Sequence, residues 1–180
     1  MGCLRRLLLV TLLPAAGAAT AHADAVRVSI GYGQGANLYA IALQLDRRAP
    51  LHQFARWTLT SHLDLGVSEF QGHRSSSRYN TTHALAVVPK LRWQRNATPL
   101  VTPFIEFGLG LGGFTETTVA GTRHLGGDFE FTELLRTGVR FGDRRQYEIA
   151  LTGQHFSNSG LNHPNDGITY AGISLAWYFR

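Results

Sequence analysis

Runs of about ten residues in which apolar and polar side chains alternate constrain this chain more than any other feature. Val26, Val28, Ile30 and Tyr32 alternate with Arg27, Ser29 and Gly31. Tyr39, Ile41, Leu43 and Leu45 share one parity, and Trp57, Leu59, Leu63 and Leu65 alternate with Arg56, Thr58, Thr60, His62 and Asp64. Successive side chains of a β-strand point to opposite faces, so each run is a strand with one greasy and one polar side. Five more runs follow: residues 82–93, broken by Pro89; 101–111; 129–141; 147 to His155; and 169–179. Turn residues separate them, with short connections at Arg95 to Pro99 and Gly142 to Arg145 and longer polar ones at 68–80 and 113–127.

An even number of strands about ten residues long, joined alternately by short and long connections, is the pattern of a transmembrane β-barrel. The last strand ends in Trp177, Tyr178 and Phe179, as an interfacial aromatic girdle would. The soluble alternative is a lipocalin-like barrel whose apolar face points inward. In the membrane reading the opposite parity faces the lumen, offering Arg56, His62, Asp64, Glu106, Arg136, Arg140 and Glu148 as a charge-paired filling. An eight-stranded interior is just wide enough to hold side chains. The expected fold class is therefore all-β, an eight-stranded antiparallel outer-membrane β-barrel.

The N-terminus has its own pattern. Arg5 and Arg6 precede an apolar run from Leu7 to Leu13, and small residues lead to Ala21, His22 and Ala23. This reads as a secretory signal peptide cleaved after Ala23, leaving one barrel domain over residues 24–180. The single cysteine, Cys3, falls in that segment, so thiolate chemistry and cysteine metal sites are not expected in the mature chain. No later stretch has eighteen uninterrupted apolar residues, which excludes a transmembrane helix. The formal charge of +5 falls to +3 without Arg5 and Arg6, and the basic residues are scattered. No nucleic-acid partner is expected from that distribution.

Chemistry concentrates in residues 154–167. His155 and Ser157 continue the parity of Tyr147, Ile149 and Leu151, which puts an imidazole and a hydroxyl on the greasy face of one strand. They lie about 6.5–7 Å apart along it. The asparagines and glycines that follow mark a loop where the strand ends. A serine activated by a histidine, itself oriented by a third group, is the working core of acyl-transfer hydrolysis. Side-chain amides and free backbone N–H groups in such a loop could stabilise an oxyanion. The plainer alternative is that Ser157 and Asn158 merely cap the strand, because His-x-Ser is a short pattern. His155, His163 and Asp166 suit surface positions better than a metal site, and no metal is expected.

The residues from His155 to Ile168 resemble the active-site signature of the PagL family of outer-membrane lipid A 3-O-deacylases, close to H-[YF]-S-N-A-G-x-x-x-P-N-x-G-x-E. The resemblance implies Ser157 as nucleophile and His155 as general base. It makes Asn165, with the backbone N–H of Gly160, the candidate oxyanion stabiliser, and Asn158 an orienting residue. It further implies an esterase in the bacterial outer membrane that removes the 3-position acyl chain of lipid A without a cofactor. The expected partners are lipid A or lipopolysaccharide and the membrane itself; assembly into a homodimer is left open.

One position departs from the pattern. Where the family has a Glu, this chain has Thr169, whose hydroxyl can hold an imidazole tautomer but cannot supply negative charge. Glu133 is the candidate substitute acid, since the tight turn at Asp143 and Arg144 would set it across the ladder from His155. The alternative function is a catalytically silent barrel with a structural or lipid-binding role.

Overall fold

The computed structural model describes residues 23–47, 49–73, 81–96, 100–119 and 123–179. The expected signal segment up to residue 22 lies outside the described residues, as do residues 74–80 of the polar stretch. Eight long antiparallel strands form the wall: β1 (Ala25–Gly33), β2 (Ala36–Asp46), β4 (Trp57–Gly72), β5 (Thr81–Arg95), β6 (Val101–Phe114), β9 (Phe129–Phe141), β10 (Tyr147–Ser157) and β11 (Ile168–Tyr178). Neighbours run in the order β2, β1, β11, β10, β9, β6, β5, β4, and β4 pairs back to β2, closing the barrel. The short β3 (His52–Phe54) adds to β4 where that strand extends past the end of β2. The stretch 113–127, expected as a plain loop, instead carries the end of β6 and a small arm in which β7 (Thr118–Val119) and β8 (Arg123–His124) pair.

Which face is greasy decides between the two barrel types. Leu85, Ile30 and Leu151 are 61%, 61% and 64% exposed on the outer wall, whereas Arg92 and Glu106 in the lumen are fully buried. A soluble carrier would have the reverse arrangement. An apolar outer surface over every long strand exceeds what a water-exposed wall tolerates and suits contact with lipid.

The lumen is filled by charge pairs. Arg92 donates from Nε to Glu106 Oε2 at 2.7 Å and from Nη1 to Glu148 Oε2 at 2.8 Å. Arg136 bridges the same two acids, reaching Glu106 Oε1 at 2.8 Å and Glu148 Oε1 at 2.6 Å. Lys90 lies 2.8 Å from Asp64 and 2.9 Å from Glu106, and Arg27 pairs with Asp64. The Tyr178 hydroxyl donates to Glu148 at 2.8 Å. Buried charges are tolerable only when paired and hydrogen-bonded, and here cations and acids from six strands meet across the barrel. His62, Asp64, Glu106, Arg136 and Glu148 take the expected inward places. Arg56 does not: it sits exposed in the turn between β3 and β4, because the ladder begins only at Trp57. Arg140 is partly buried and stacks 3.6 Å from the Tyr178 ring centroid.

An aromatic plug closes one end of the lumen. Phe70, Phe114, Phe156 and Tyr170 pack with ring centroids 5.1–5.8 Å apart. Val119 of β7 and Leu125, just after β8, are fully buried in the same cluster. The opposite end holds the start of β1 and the end of β11, Ala25 and Tyr178 being ladder partners. The longest connection joins Phe114 to Phe129 at the plugged end, where the strand ends Gly72, Thr81, Ser157 and Ile168 also gather, while the opposite end carries the short turns after β5 and β9 and the β2–β4 connection that holds β3. In outer-membrane barrels the longer loops are extracellular, so the plugged end faces outward from the cell.

Candidate active site

Strand β10 carries the site at the plugged end. Its alternation sends Ala150 and Phe156 into the lumen, Phe156 being fully buried, and leaves Leu151, His155 and Ser157 on the outer wall. Phe156 thus anchors the backbone from inside while the residues on either side face lipid. Ser157 is the last residue of the strand, and the chain leaves the ladder at Asn158.

Two neighbours flank the imidazole across the sheet. His155 pairs with Thr169 on β11 and with Glu133 on β9. His155 Nδ1 lies 2.8 Å from Thr169 Oγ1. When Nδ1–H donates to that hydroxyl, Nε2 keeps the lone pair a base needs. The backbone N–H of Thr169 donates to Gln34 Oε1 at 2.9 Å, tying the β1–β2 turn to the site. Glu133 is exposed on the same outer face, and among the described residues it makes no ion pair with His155. The turn register therefore matches expectation, while the imidazole contact goes to the threonine.

Gly167 forms the wall behind the ring. Its φ of +56° is in the left-handed region, and a Cβ there would stand 3.0 Å from His155 Cε1 and 3.4 Å from Nε2. Both the backbone and the available space thus call for glycine.

The loop after Ser157 is organised by Asn158, which is 2% exposed. Its Nδ2 donates to the carbonyls of Leu125 at 2.7 Å and Asn162 at 3.1 Å. Its Oδ1 accepts the Gly160 N–H at 2.9 Å, and its own N–H donates to Asn165 Oδ1 at 3.3 Å. The Gly160 N–H, expected to face an oxyanion, is therefore already engaged in this arrangement. Asn165 uses its oxygen in the loop and retains its Nδ2 as a donor. Ser157 and His155 share no hydrogen bond among the described residues; they are the last two outward positions of one strand. Hydrogen bonds of this kind are often long before substrate binds. His163 is exposed, and the Asp166 carboxylate accepts the His124 N–H at 2.8 Å rather than facing His155.

Towards the membrane interior the outer wall is hollowed beside the site. Gly153 is the next outward residue below His155, flanked by Leu135 and Ala171 on the neighbouring strands. With Thr137, Leu151 and Ile173 they line an open apolar groove.

A closed barrel with a greasy exterior and a His/Ser pair on that exterior defines an outer-membrane barrel with the parts of a serine esterase. The family model for lipid A 3-O-deacylase (PagL) matches residues 35–178, and the chain belongs to that family. It is 30% identical over 151 residues to the lipid A deacylase PagL of Pseudomonas aeruginosa, covering 83% of each chain. With the lipid A deacylase PagL of Bordetella bronchiseptica it shares 30% identity over 176 residues, 95% of this chain and 93% of that one. Among solved structures it resembles the outer membrane enzyme PagL, with a TM-score of 0.75, 26% identity and coverage of 85% and 98%. Neisserial surface protein A (NspA), at a TM-score of 0.50 and 8% identity over 86% and 94% of the two chains, shares the fold alone.

The β7–β8 arm and its buried Val119 and Leu125 were missed in the sequence. The only signal was two apolar residues in a segment otherwise rich in Thr, Gly and charge.

Proposed function

We propose that the protein is an outer-membrane esterase that hydrolyses the 3-position acyl ester of lipid A. One observation carries this reading: an imidazole and a hydroxyl face lipid at the barrel end with the longer loops, where a fatty ester would lie. Ser157 Oγ attacks the ester carbonyl carbon while His155 Nε2 takes its proton. The tetrahedral oxyanion is met by Asn165 Nδ2, and by the Gly160 N–H if Asn158 Oδ1 releases it on substrate binding. The C–O bond to the sugar then breaks, and His155 returns the proton to the departing sugar oxygen. Water repeats the sequence on the acyl-enzyme and frees the fatty acid. The groove beside Gly153 receives the acyl chain, which positions the ester against Ser157.

Thr169 holds the imidazole tautomer through Nδ1 but offers no charge to the imidazolium. Glu133 is the candidate carboxylate for that charge, because it stands directly opposite His155 on the same face, where such pairs have Cβ atoms about 4.5–5.5 Å apart. Purified, refolded protein incubated with lipid A tests the reading. The expected product is one free hydroxy fatty acid per lipid A, absent with Ser157→Ala. A folded wild-type barrel that releases none would instead favour the silent barrel to which Thr169 points.

A further inference from the structure

The loop carrying Asn165 and Gly167 does not stand alone; the β7–β8 arm grips it. Arg123 Nη1 donates to the backbone carbonyls of Asp166 at 2.8 Å and Gly167 at 3.2 Å. The next residue continues the grip in both directions: His124 N–H donates to Asp166 Oδ2 at 2.8 Å, and Asp166 N–H donates to the His124 carbonyl at 3.0 Å. The arm is itself fixed from below by Val119 and Leu125 in the aromatic plug, and the Leu125 carbonyl accepts from Asn158.

The Gly167 carbonyl matters because of what its neighbours touch. Gly167 backs the Cε1–Nε2 edge of His155, and Thr169, two residues on, meets Nδ1. Ile168 between them is fully buried in the plug. A cation on the Gly167 carbonyl therefore fixes the peptide that links the wall behind the imidazole to its Nδ1 partner.

We propose that Arg123 is a positioning residue for the reaction: it holds the Asp166 and Gly167 carbonyls so that Gly167 and Thr169 together seat the His155 imidazole toward Ser157. A charge-assisted hydrogen bond suits this role, being roughly twice as strong as a neutral one. The inference rests on the esterase reading but makes its own demand, since the guanidinium touches neither the substrate nor the reacting atoms.

The test uses full-length protein, wild type and variants, with folding verified by heat-modifiable migration on gels. A fluorophosphonate probe phosphonylates an activated serine as fluoride leaves and the serine proton passes to the base. Two quantities are read: the rate constant of labelling and the final labelled fraction. Arg123→Ala should lower the rate constant by about ten- to a hundredfold, in line with the cost of misplacing reacting groups by about 1 Å. Its final labelled fraction should match that of wild type. With lipid A as substrate, kcat should fall and KM stay unchanged. Arg123→Lys should recover part of the rate, because one ammonium can donate to both carbonyls. An unchanged rate constant in folded Arg123→Ala, or a lower final fraction at the wild-type rate, would overturn the proposal and leave Arg123 a structural residue. A folded wild-type protein that does not react with the probe would overturn the esterase reading itself, and the positioning role with it.

Discussion

Thr169 stands across the ladder from His155 with its hydroxyl 2.8 Å from the imidazole Nδ1, in the place where the family signature has a glutamate. In the proposed mechanism the contact does the orienting half of a triad acid's work without the electrostatic half. Replacing the acid of a serine protease triad by its amide costs about 10⁴ in turnover, much of it through the wrong tautomer. A hydroxyl that preserves the tautomer should cost less. Thr169→Glu is therefore expected to raise kcat by about tenfold or more. Thr169→Val, which leaves Nδ1 without a partner, should lower it by a similar factor. Steady-state hydrolysis of lipid A by the two variants checks both.

Glu133 is the ladder partner of His155 on β9, across from Thr169 on β11. If it supports the imidazolium, Glu133→Gln lowers kcat by about tenfold, equivalent to about 1.4 kcal/mol of transition-state stabilisation. In a Thr169→Glu background the same change should matter much less, since the two carboxylates would serve one function and their effects would not add. Full activity in the single Glu133→Gln variant removes Glu133 from the mechanism.

Gly167 tests whether the wall behind the imidazole matters. An alanine there must adopt a φ of +56° and brings its Cβ to 3.0 Å from His155 Cε1. The ring should be pushed off line, and kcat should drop by about a hundredfold. KM should hardly move, because the groove proposed for the acyl chain is lined by Gly153, Leu135 and Ala171 and not by Gly167. Equal losses in kcat and folded fraction would point to misfolding instead.

Gly153 leaves the floor of the groove open beside Leu135 and Ala171. Gly153→Leu would fill that space. Hydrolysis of long-chain substrates should fall by about ten- to a hundredfold, while a water-soluble short-chain ester is spared. Comparing the two substrates on one preparation separates a blocked groove from a damaged catalytic pair.

The lumen predicts stability, not catalysis. Glu106 meets Lys90, Arg92 and Arg136 at 2.6–2.9 Å while fully buried. Glu106→Gln leaves those cations short of one negative charge and should destabilise the barrel by about 3–5 kcal/mol. Urea titration of barrels folded in lipid vesicles would show a lower midpoint with little change in slope.

Much of this arrangement was legible because a membrane barrel writes its two faces into period two. The parity that placed Ile149 and Leu151 against lipid carried on to His155 and Ser157, and Glu106, Arg136 and Glu148 fell inward by the same count. The tight turn from Gly142 to Arg145 sets the pairing of Glu133 with His155. What periodicity could not convey was contact between segments with no period. Residues 115–128 look polar, so the burial of Val119 and Leu125 and the grip of Arg123 on the Gly167 carbonyl depend on tertiary packing. Arg56 failed for the opposite reason: its parity was right, but the ladder had not yet begun. The engagement of the Gly160 N–H by Asn158 likewise follows from loop geometry that no spacing encodes.

The most direct measurement is mass spectrometry of lipid A extracted from cells making the wild-type chain or Ser157→Ala. The account predicts that wild type removes one hydroxyacyl chain, that the variant removes none, and that both fold as heat-modifiable barrels in the outer membrane. Identical lipid A spectra from the two, with both barrels folded, would contradict it.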